Sequence, residues 1–241
     1  MFSIVIPTKN EEKFLPILLR DIAKQSLQPE KIIVADAHST DKTGAIAKKF
    51  GCTVVDGGLP GVGRNCGAKL VASEFIVFLD ADAQIKSKKF FEEAFAEITK
   101  RNLDIASCDI VPYEGTRIDI WMLETYNLFA KLTENIKPHA PGMCIFMKKN
   151  IHDAVQGFDE HVLLAEDMDY VQRAARFGTF GILRDVEIST STRRFRKDGH
   201  FKTIIKYLLT ELHISTLGSV KTDIFKYKFD YEDLYTKEKK Q

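Results

Sequence analysis

Two aspartates, Asp80 and Asp82, follow the short apolar run from Phe75 to Leu79. The run is rich in aromatic and β-branched residues, which predicts a buried strand that ends at the acids. Ligands of open α/β sheets bind at the carboxyl ends of strands. Two carboxylates there form a pair of hard oxygen ligands suited to Mg²⁺ or Mn²⁺, and Gln84 is a further candidate ligand. The competing interpretation is a solvated acidic turn, because so short a pattern also occurs by chance.

Two further pairs of charged residues lie far along the chain. Glu166 and Asp167 are adjacent acids, and a carboxylate beside another acid in an enclosed site has a raised pKa that suits a general base. The same acids would also favour the start of a helix without any catalytic role. Arg193 and Arg194 match pairs of phosphate oxygens, but they would fit a solvated basic loop equally well.

Strands and helices alternate through the first 100 residues. Strands are predicted over residues 2–6, 31–35, 52–55 and 75–79, with helices after the first three of them. Asn10 or Glu11 is expected to cap the first helix, Ser39-Thr40-Asp41 the second, and the third begins near Arg64. This alternation predicts a parallel, doubly wound sheet. GxGxxG and GxxxxGK[ST] are both absent, which argues against a dinucleotide-binding protein and a P-loop ATPase.

The second half of the chain is less regular. Strands are expected over 103–108 and 142–147, a helix over about 165–177, and two short strands over 180–183 and 186–189. A helix over about 118–132 carries an apolar stripe that is expected to pack in the core: Ile118, Trp121, Met122, Thr125, Phe129 and Leu132. A last amphipathic helix is predicted from Gly199 to about Leu217.

Composition narrows the class of protein. The chain is 44% hydrophobic and 29% charged with a net charge of +1, which is typical of a globular protein and gives no general attraction to nucleic acid. Four scattered cysteines indicate a reducing compartment. The sequence shows neither a signal peptide nor an apolar run of the roughly 20 residues that span a bilayer. We therefore expect a cytoplasmic protein that at most contacts the inner face of the membrane.

Five separated segments, taken in order, resemble the family 2 glycosyltransferases, which have the GT-A fold. They are residues 3–12, residues 34–43, residues 63–68, residues 78–82, and Gly157-Phe158-Asp159 followed by Glu166-Asp167-Met168-Asp169. The resemblance covers about residues 2–197. It implies a mixed, mostly parallel sheet flanked by helices. We expect a nucleotide-binding half over 1–100, an acceptor half over 101–197, and a C-terminal amphipathic helix with a basic tail over 198–241.

The resemblance also implies the chemistry. Members of this family move a sugar from a nucleotide diphosphate sugar with inversion, and Asp80-Ala81-Asp82 stands where their metal-binding DxD motif stands. Asp167 is then the expected general base, with Glu166 second. The residues expected to bind the nucleotide sugar are Pro7, Thr8, Asn10, Glu11, Asp36, Arg64, Asp80, Ala81, Arg193 and Arg194. Asp36 is expected to accept from the base or the ribose, with an ordinary turn acid as the alternative.

Two departures from the family pattern bear on specificity. Ala37 and His38 replace the usual Asp-Gly, which affects the contacts expected with the base or ribose. The family's Gln-x-x-Arg-Trp is missing, and Arg193-Arg194-Phe195 stands in its place. We interpret this as transfer of a single sugar rather than processive synthesis.

The acceptor is left open by the sequence. The predicted C-terminal helix has an apolar face of Phe201, Ile204, Ile205, Leu208 and Leu212 beside Lys202 and Lys206, and from Arg193 onward 12 Lys and Arg face 7 Asp and Glu. This pattern fits contact with anionic lipid, and hence a lipid-linked acceptor, as well as it fits packing on the domain. Two other functions compete: a nucleotidyltransferase acting on a sugar phosphate, and a non-catalytic nucleotide-sugar-binding protein.

Overall fold

The computed structural model describes residues 1–193 and, beyond them, residues 199–200, 205, 209–210, 213–214, 216 and 218–220. Seven strands form a sheet. The strands are β1 (Phe2–Thr8), β2 (Ile32–Asp36), β3 (Thr53–Asp56), β4 (Phe75–Leu79), β5 (Ile105–Pro112), β6 (Cys144–Lys148) and β7 (Phe180–Thr190). The helices are α1 (Leu15–Ala23), α2 (Thr43–Lys49), α3 (Pro60–Ala68), α4 (Phe90–Arg101), α5 (Arg117–Thr133), α6 (Lys149–Ala154) and α7 (Glu166–Ala174).

The strand order is β3-β2-β1-β4-β6-β5-β7. β1 to β4 are parallel neighbours where they pair, β6 runs antiparallel to both β4 and β5, and β7 is parallel to β5. The predicted mixed, mostly parallel sheet is therefore confirmed. The two short strands expected near the end are a single strand, β7, whose register against β5 shifts between Cys108 and Asp109. The division of the chain at residues 100 and 197 stays a prediction.

The core lies on both faces of the sheet, because side chains alternate along each strand. In β4, Phe75, Val77 and Leu79 belong to one buried cluster with α1 and α4, whereas Ile76 and Phe78 belong to a second cluster with α3, α5, α6 and α7. Strands covered on both faces read as continuous apolar runs, which is why the Phe75–Leu79 strand was predicted with its correct bounds.

The helix starts show which local predictions held. Pro16 falls in the first turn of α1, as expected for a proline in that helix. The predicted caps were wrong, since α1 and α2 begin after Phe14 and Lys42 without a side-chain cap. α3 begins at Pro60 rather than near Arg64, so that Arg64 lies inside the helix instead of at its entrance.

The apolar stripe of α5 was predicted to be core, and this was wrong for most of it. Trp121 is 62% exposed and Leu132 is 71% exposed, and Ile118 and Phe129 are exposed as well. The helix faces the sheet instead through a row of buried residues: Asp119, Leu123, Asn127 and Ala130. Hydrogen bonds explain why this side faces the sheet. The Asn127 amide donates to the carbonyl of Ile110 and accepts from its N–H, which fixes that side of α5 against β5.

The predicted C-terminal helix falls largely outside the described residues, including Phe201, Lys202, Ile204, Lys206, Leu208 and Leu212. Two of its positions that the structure does describe, Ile205 and Leu209, are exposed apolar residues. Across the described part of the chain, no helix combines the length and the apolar character needed to cross a bilayer.

Candidate active site

The candidate site lies at the edge where β1, β2 and β4 end. Thr8, the last residue of β1, pairs with Asp36, the last residue of β2, and Asp80 directly follows β4. Parallel neighbours end at the same edge, so the sheet places these residues side by side. Thr8 is buried, whereas Asp36 and Asp80 are half-buried. This is the edge that the sequence predicted for ligand binding.

Arg64 links this edge to the second half of the chain. Its guanidinium donates to Asp80 Oδ1 at 2.8 Å, to Glu166 Oε1 at 2.7 Å and to the carbonyl oxygen of Gly142 at 3.2 Å. Arg64 is 2% exposed. Burial alone would lower its pKa, but the carboxylates of Asp80, Glu166 and Asp167 outweigh burial and raise it. Arg64 is therefore a fixed positive charge between acids 86 residues apart in sequence.

Asp167 lies in the first turn of α7, beside Glu166. Its carboxylate accepts from the N–H of Gly142 at 2.6 Å and from its neighbour Met168 at 2.9 Å. Burial raises the pKa of Asp167 to about 7, and the neighbouring Glu166 adds to this while Arg64 opposes it. A carboxyl group with such a pKa exchanges protons near neutral pH, which is the property required of a general base.

Arg193 holds a second acidic group at the same edge. Its Nη2 lies 2.7 Å from Glu11 Oε1 and 3.2 Å from Asp82 Oδ2, and its guanidinium stacks 4.9 Å from the ring centre of Phe14. Burial raises the pKa of Glu11 to about 7; Arg193 lowers it, and Asp82 and Asp80 raise it further. Arg193 therefore neutralises acids that would otherwise repel one another.

The oxygen ligands present are chemically suited to a hard divalent cation. One carboxylate oxygen of Asp80 binds Arg64, and the Asp80 side chain is about one-third exposed. Asp82 lies close enough to Glu11 to raise its pKa. In the described ranges no group of three or more His, Cys, Asp or Glu side chains is arranged to hold a metal by itself. A cation at Asp80 and Asp82 would therefore complete its coordination with oxygens from water or from a ligand such as the diphosphate of a nucleotide.

The backbone of Gln84 helps to bring Arg193 close to Asp82. Its N–H donates to Ser189 of β7 at 2.9 Å, and its carbonyl accepts from Ser189 at 3.0 Å. The pair joins the turn that carries Asp82 to the end of β7, three residues before Arg193. The two backbone bonds thus explain why Arg193 meets Asp82.

The remaining predicted residues fall into two groups. Asn10, with a left-handed φ of 54°, accepts from the N–H of Thr40 and donates its own N–H to Ser39, so it ties together the turns that follow β1 and β2. Asp36 accepts from the hydroxyl and the N–H of Ser39. Pro7 lies within β1 opposite Ala35, and Ala81 is buried in the turn after β4. Arg194 lies outside the described residues.

Sequence reasoning missed how the second half is fastened to α3. Asn65, next to Arg64, donates to the carbonyl of Phe158 and accepts from its N–H. Gly157, at φ +71°, lies so close that a Cβ there would come within 2.4 Å of Asn65 Oδ1. Phe158 in turn packs 5.3 Å below the Arg64 guanidinium. The available signal is that Arg64-Asn65 and Gly157-Phe158 both lie in segments that carry the family resemblance, although the sequence does not show that the two pairs contact each other.

The contact between Gly142 and Asp167 was also missed. A Cβ on Gly142 would lie 2.6 Å from Arg64 Nη2 and 3.1 Å from Asp167 Oδ2, so only glycine leaves room for both. A glycine ahead of a strand has many possible reasons, and the sequence alone does not select this one.

Two solved structures of glycosyltransferases superpose on this chain. The structure of Staphylococcus aureus TarS 1–349 in complex with UDP-GlcNAc superposes with a TM-score of 0.64 and 23% identity, over 79% of this chain and 58% of that one. Mannosyltransferase PcManGT from Pyrobaculum calidifontis, in complex with GDP-Man and Mn²⁺, superposes with a TM-score of 0.65 and 18% sequence identity. The superposition covers 86% of this chain and 64% of that one. The sheet flanked by helices, with acids at its carboxyl edge, is thus a GT-A fold.

The chain belongs to glycosyl transferase family 2, because the sequence model of that family matches residues 3–156. Among curated relatives, poly(ribitol-phosphate) β-N-acetylglucosaminyltransferase TarS of S. aureus is 32% identical over 205 residues, 80% of this chain and 36% of the relative. The 4,4'-diaponeurosporenoate glycosyltransferase of Staphylococcus haemolyticus is 34% identical over 99 residues, 37% of this chain and 26% of the relative. The chain therefore spans about a third or less of the length of these two relatives.

Proposed function

We propose that this chain transfers a single sugar from a nucleotide diphosphate sugar to an acceptor hydroxyl, with inversion at the anomeric carbon. The observation that carries the proposal is Arg64, which binds Asp80 at the end of β4 and Glu166 at the start of α7. One guanidinium thus joins the acids proposed to face the leaving diphosphate to the acids proposed to face the acceptor. Proximity of this kind is what a displacement between two bound substrates requires.

Asp167 is the proposed general base. Two backbone N–H groups, of Gly142 and Met168, hold its carboxylate in place, and its pKa of about 7 lets it be ionised yet basic at neutral pH. As the hydroxyl proton passes to Asp167, the acceptor oxygen bonds to the anomeric carbon. The bond from that carbon to the diphosphate breaks, and its electron pair leaves with the diphosphate. One displacement gives inversion, and Glu166 serves to hold Arg64.

The leaving diphosphate gains negative charge that the site must stabilise. Arg193, now paired with Glu11 and Asp82, is proposed to bind phosphate oxygens, because a guanidinium matches them in pairs. Asp80 and Asp82, with Gln84 as a further proposed ligand, would hold Mg²⁺ or Mn²⁺, which supplies Lewis-acid stabilisation of this charge. The Mn²⁺ bound with GDP-Man in the PcManGT structure supports this assignment.

The nucleotide is proposed to bind along the ends of β1 and β2. Asp36 would accept from the base or the ribose, with Thr8, Asn10 and Pro7 forming the wall of the pocket and Ala81 its base. Arg194 keeps its predicted phosphate contact as a proposal. The donor base stays open between uridine and guanosine, since TarS was solved with UDP-GlcNAc and PcManGT with GDP-Man.

The acceptor is the least specified substrate in the proposal. One relative is named for poly(ribitol-phosphate) and another for diaponeurosporenoate, so the relatives are named for chemically different acceptors. A lipid-linked acceptor, reached from the cytoplasmic side of a membrane, remains our hypothesis from the sequence.

Donor binding measured by thermal shift tests the proposal. UDP-GlcNAc or GDP-mannose should raise the melting temperature in the presence of Mn²⁺, because a ligand that binds only the folded form stabilises it. Asp82→Ala should abolish the Mn²⁺-dependent part of the shift. Glu74→Ala, which removes an exposed acid just before β4 at the opposite edge of the sheet, is the matched control and should keep the whole shift.

The product separates the competing functions. Release of nucleoside diphosphate supports glycosyl transfer, whereas release of pyrophosphate would indicate a nucleotidyltransferase. Donor binding without any turnover would indicate a non-catalytic protein. If no nucleotide sugar changes the melting temperature with Mn²⁺ present, the proposal is wrong.

A further inference from the structure

One side of α5 is apolar and open to solvent. Five of its large side chains share this side: Ile118, Trp121, Leu128, Phe129 and Leu132, which we call the α5 apolar face. Trp121, Leu128 and Leu132 follow one another at spacings of seven and four residues, so they form a line along the helix. Ile136, just beyond the helix, continues the line and is 86% exposed. From Trp121 to Leu132 the line is about 16 Å long, on a helix of 17 residues.

Such a face is unusual on a protein surface. Single exposed leucines need no explanation, but contiguous apolar patches mark sites that bind proteins or membranes. The face also has the composition of a membrane-surface helix, with an exposed tryptophan among aliphatic side chains. Trp121 is suited to such a position because its ring is apolar and its N–H is polar.

We propose that the α5 apolar face docks on the surface of a bilayer that contains anionic lipid. A second copy of the chain fits less well, because charged groups that would set the register of two helices are nearly absent from the face. Among the exposed residues of α5, only Arg117 and Glu124 are charged. A bilayer surface requires no register, and it accepts a face of this composition in any rotation about the membrane normal.

The charge of the sequence around His200 favours anionic lipid over neutral lipid. Asp119, buried in that turn, binds His200 Nε2 at 2.7 Å, so the chain that follows β7 returns to the start of α5. In sequence, the residues from 194 to 206 include five Lys and Arg against one acid. Basic residues beside an apolar face add attraction to anionic headgroups.

The position of α5 gives the docking a consequence, which rests on the proposed function. On its inner side α5 contributes Leu123 to a small apolar cluster with Ile110, and Met122, Tyr126 and Met143 pack against that cluster; Met143 is the neighbour of the glycine that holds Asp167. Membrane contact on the outer side of α5 therefore lies one helix diameter, roughly 10 Å, from this cluster and from Met143. Docking would therefore hold the membrane against the side of the molecule that carries α5 and Met143, where an acceptor carried by a lipid is present.

Trp121 is the single tryptophan of the chain and reports directly on this contact. We expect vesicles of phosphatidylcholine with phosphatidylglycerol to shift its emission to shorter wavelength, and lipids with brominated acyl chains to quench it. Vesicles of phosphatidylcholine alone should give the smaller change, and added salt should weaken the anionic response because it screens the basic residues. An unchanged emission with both kinds of vesicle overturns the proposal.

A matched set of variants tests the face itself by flotation with the anionic vesicles. The double substitution Leu128→Glu with Leu132→Glu should lower the bound fraction about tenfold or more, because two leucines lose their burial in lipid. Phe177→Glu changes a side chain that is also 59% exposed but lies beyond α7, and it should bind as the wild type does. If the double variant floats like the wild type, the face does not dock.

Two controls separate the remaining outcomes. Sedimentation equilibrium of both proteins without vesicles detects self-association; a wild-type dimer that the double variant dissociates, together with no vesicle binding, would overturn the proposal in favour of a second copy. The thermal shift with UDP-GlcNAc or GDP-mannose and Mn²⁺ reports on the proposed function separately. Vesicle binding without a donor shift would leave the docking standing and reject the glycosyltransferase assignment.

Discussion

Asp167 combines two properties that an ordinary surface aspartate lacks. Its carboxylate is held by the N–H groups of Gly142 and Met168, and burial raises its pKa to about 7. A base must be deprotonated to act, so turnover should rise with pH through about 7 and fall towards pH 6. We expect Asp167→Asn to lower turnover by about 100-fold or more and to leave donor affinity unchanged.

The rate of nucleoside diphosphate release, with water as the acceptor, measures this effect before the natural acceptor is identified. Asp169→Asn, in the same first turn of α7, is the control, because Asp169 binds Arg173 and Ser219 instead of the candidate site. Normal turnover of Asp167→Asn would show that another group is the base.

Gly142 is a position at which a single methyl group should disturb the site. A Cβ there would come within 2.6 Å of Arg64 Nη2 and 3.1 Å of Asp167 Oδ2. Gly142→Ala must therefore push apart the guanidinium and the carboxylate. We expect a loss of turnover of roughly 10- to 100-fold, because small misplacements of reacting groups have effects of this size.

Gly61→Ala is the matched control for that variant. Its Cβ would lie 3.5 Å from Glu166 Cγ and 3.4 Å from Phe158 Cβ, which are ordinary contacts beside the same acids. Its turnover should stay near that of the wild type in the same release assay. Equal losses in the two variants would mean that Gly142 has no special role.

The acids at this edge were predictable from the sequence, but their partners were not. Asp36, Asp80 and Asp82 follow apolar runs, and the rule that ligands bind at strand ends then places them. The ion pairs of Arg64 with Glu166 and of Arg193 with Glu11 join residues 102 and 182 positions apart. Local spacing carries no information on such pairs, because they depend on how the two halves pack.

The close packing of α3 on β1 positions Arg64, and glycine makes it possible. A Cβ on Gly67 would lie 2.4 Å from Val5 Cγ1, so the helix would have to move away from the strand. We expect Gly67→Ala to lower the free energy of unfolding by about 1–3 kcal/mol, the usual cost of overpacking a core, despite the better helix propensity of alanine. Urea denaturation measures it.

Gly63→Ala tests whether the effect comes from packing rather than from substitution in α3 as such. Its Cβ would meet Pro7 and Ala35 at 3.4 and 3.5 Å, which are normal contacts. It should leave the free energy of unfolding unchanged or raise it by up to about 1 kcal/mol, since alanine favours helix over glycine. A similar loss in both variants would argue against the close approach of Gly67 to Val5.

The helices also show what periodicity can and cannot predict. The bounds of α5 were predicted well, and its apolar stripe was identified, yet most of that stripe faces solvent. Periodicity finds the side of a helix that is apolar but not the surface that the side meets. Here the buried side is selected by Asn127, whose amide satisfies the N–H and carbonyl of Ile110, and an isolated asparagine gives no such signal.

The stability of the protein as a function of pH follows from buried carboxyl groups with raised pKa values. Asp167 and Glu11 have pKa values of about 7 in the folded state, above the roughly 4 of an unfolded chain. Such groups stabilise the fold below the unfolded pKa, and this contribution is lost as pH rises through the folded pKa. Between pH 4 and about 7 they should therefore lower the melting temperature progressively.

Other carboxyl groups act in a different window. Burial raises the pKa of Glu97, Asp104 and Asp119, but hydrogen bonds from neighbouring groups outweigh it and the net shift is downward. Their contribution is present above the unfolded pKa of about 4 and is lost only in acid. Among the carboxyl groups, the fall in stability between pH 5 and 8 therefore comes from Asp167 and Glu11, whereas His152, whose pKa burial lowers to about 4, opposes it up to an unfolded pKa of about 6.5.

Asp167→Asn isolates the share of one residue in that fall. Asparagine carries no charge at any of these pH values, so the variant should lose less stability than the wild type as pH rises from 5 to 8. The difference in melting temperature, variant minus wild type, should grow over this range and level off above pH 8, because Asp167 is then fully ionised. Differential scanning calorimetry of the ligand-free proteins in matched buffers measures it. A difference that is constant from pH 5 to 8 would mean that Asp167 does not titrate in this window, and the proposed general base would lose its main electrostatic support.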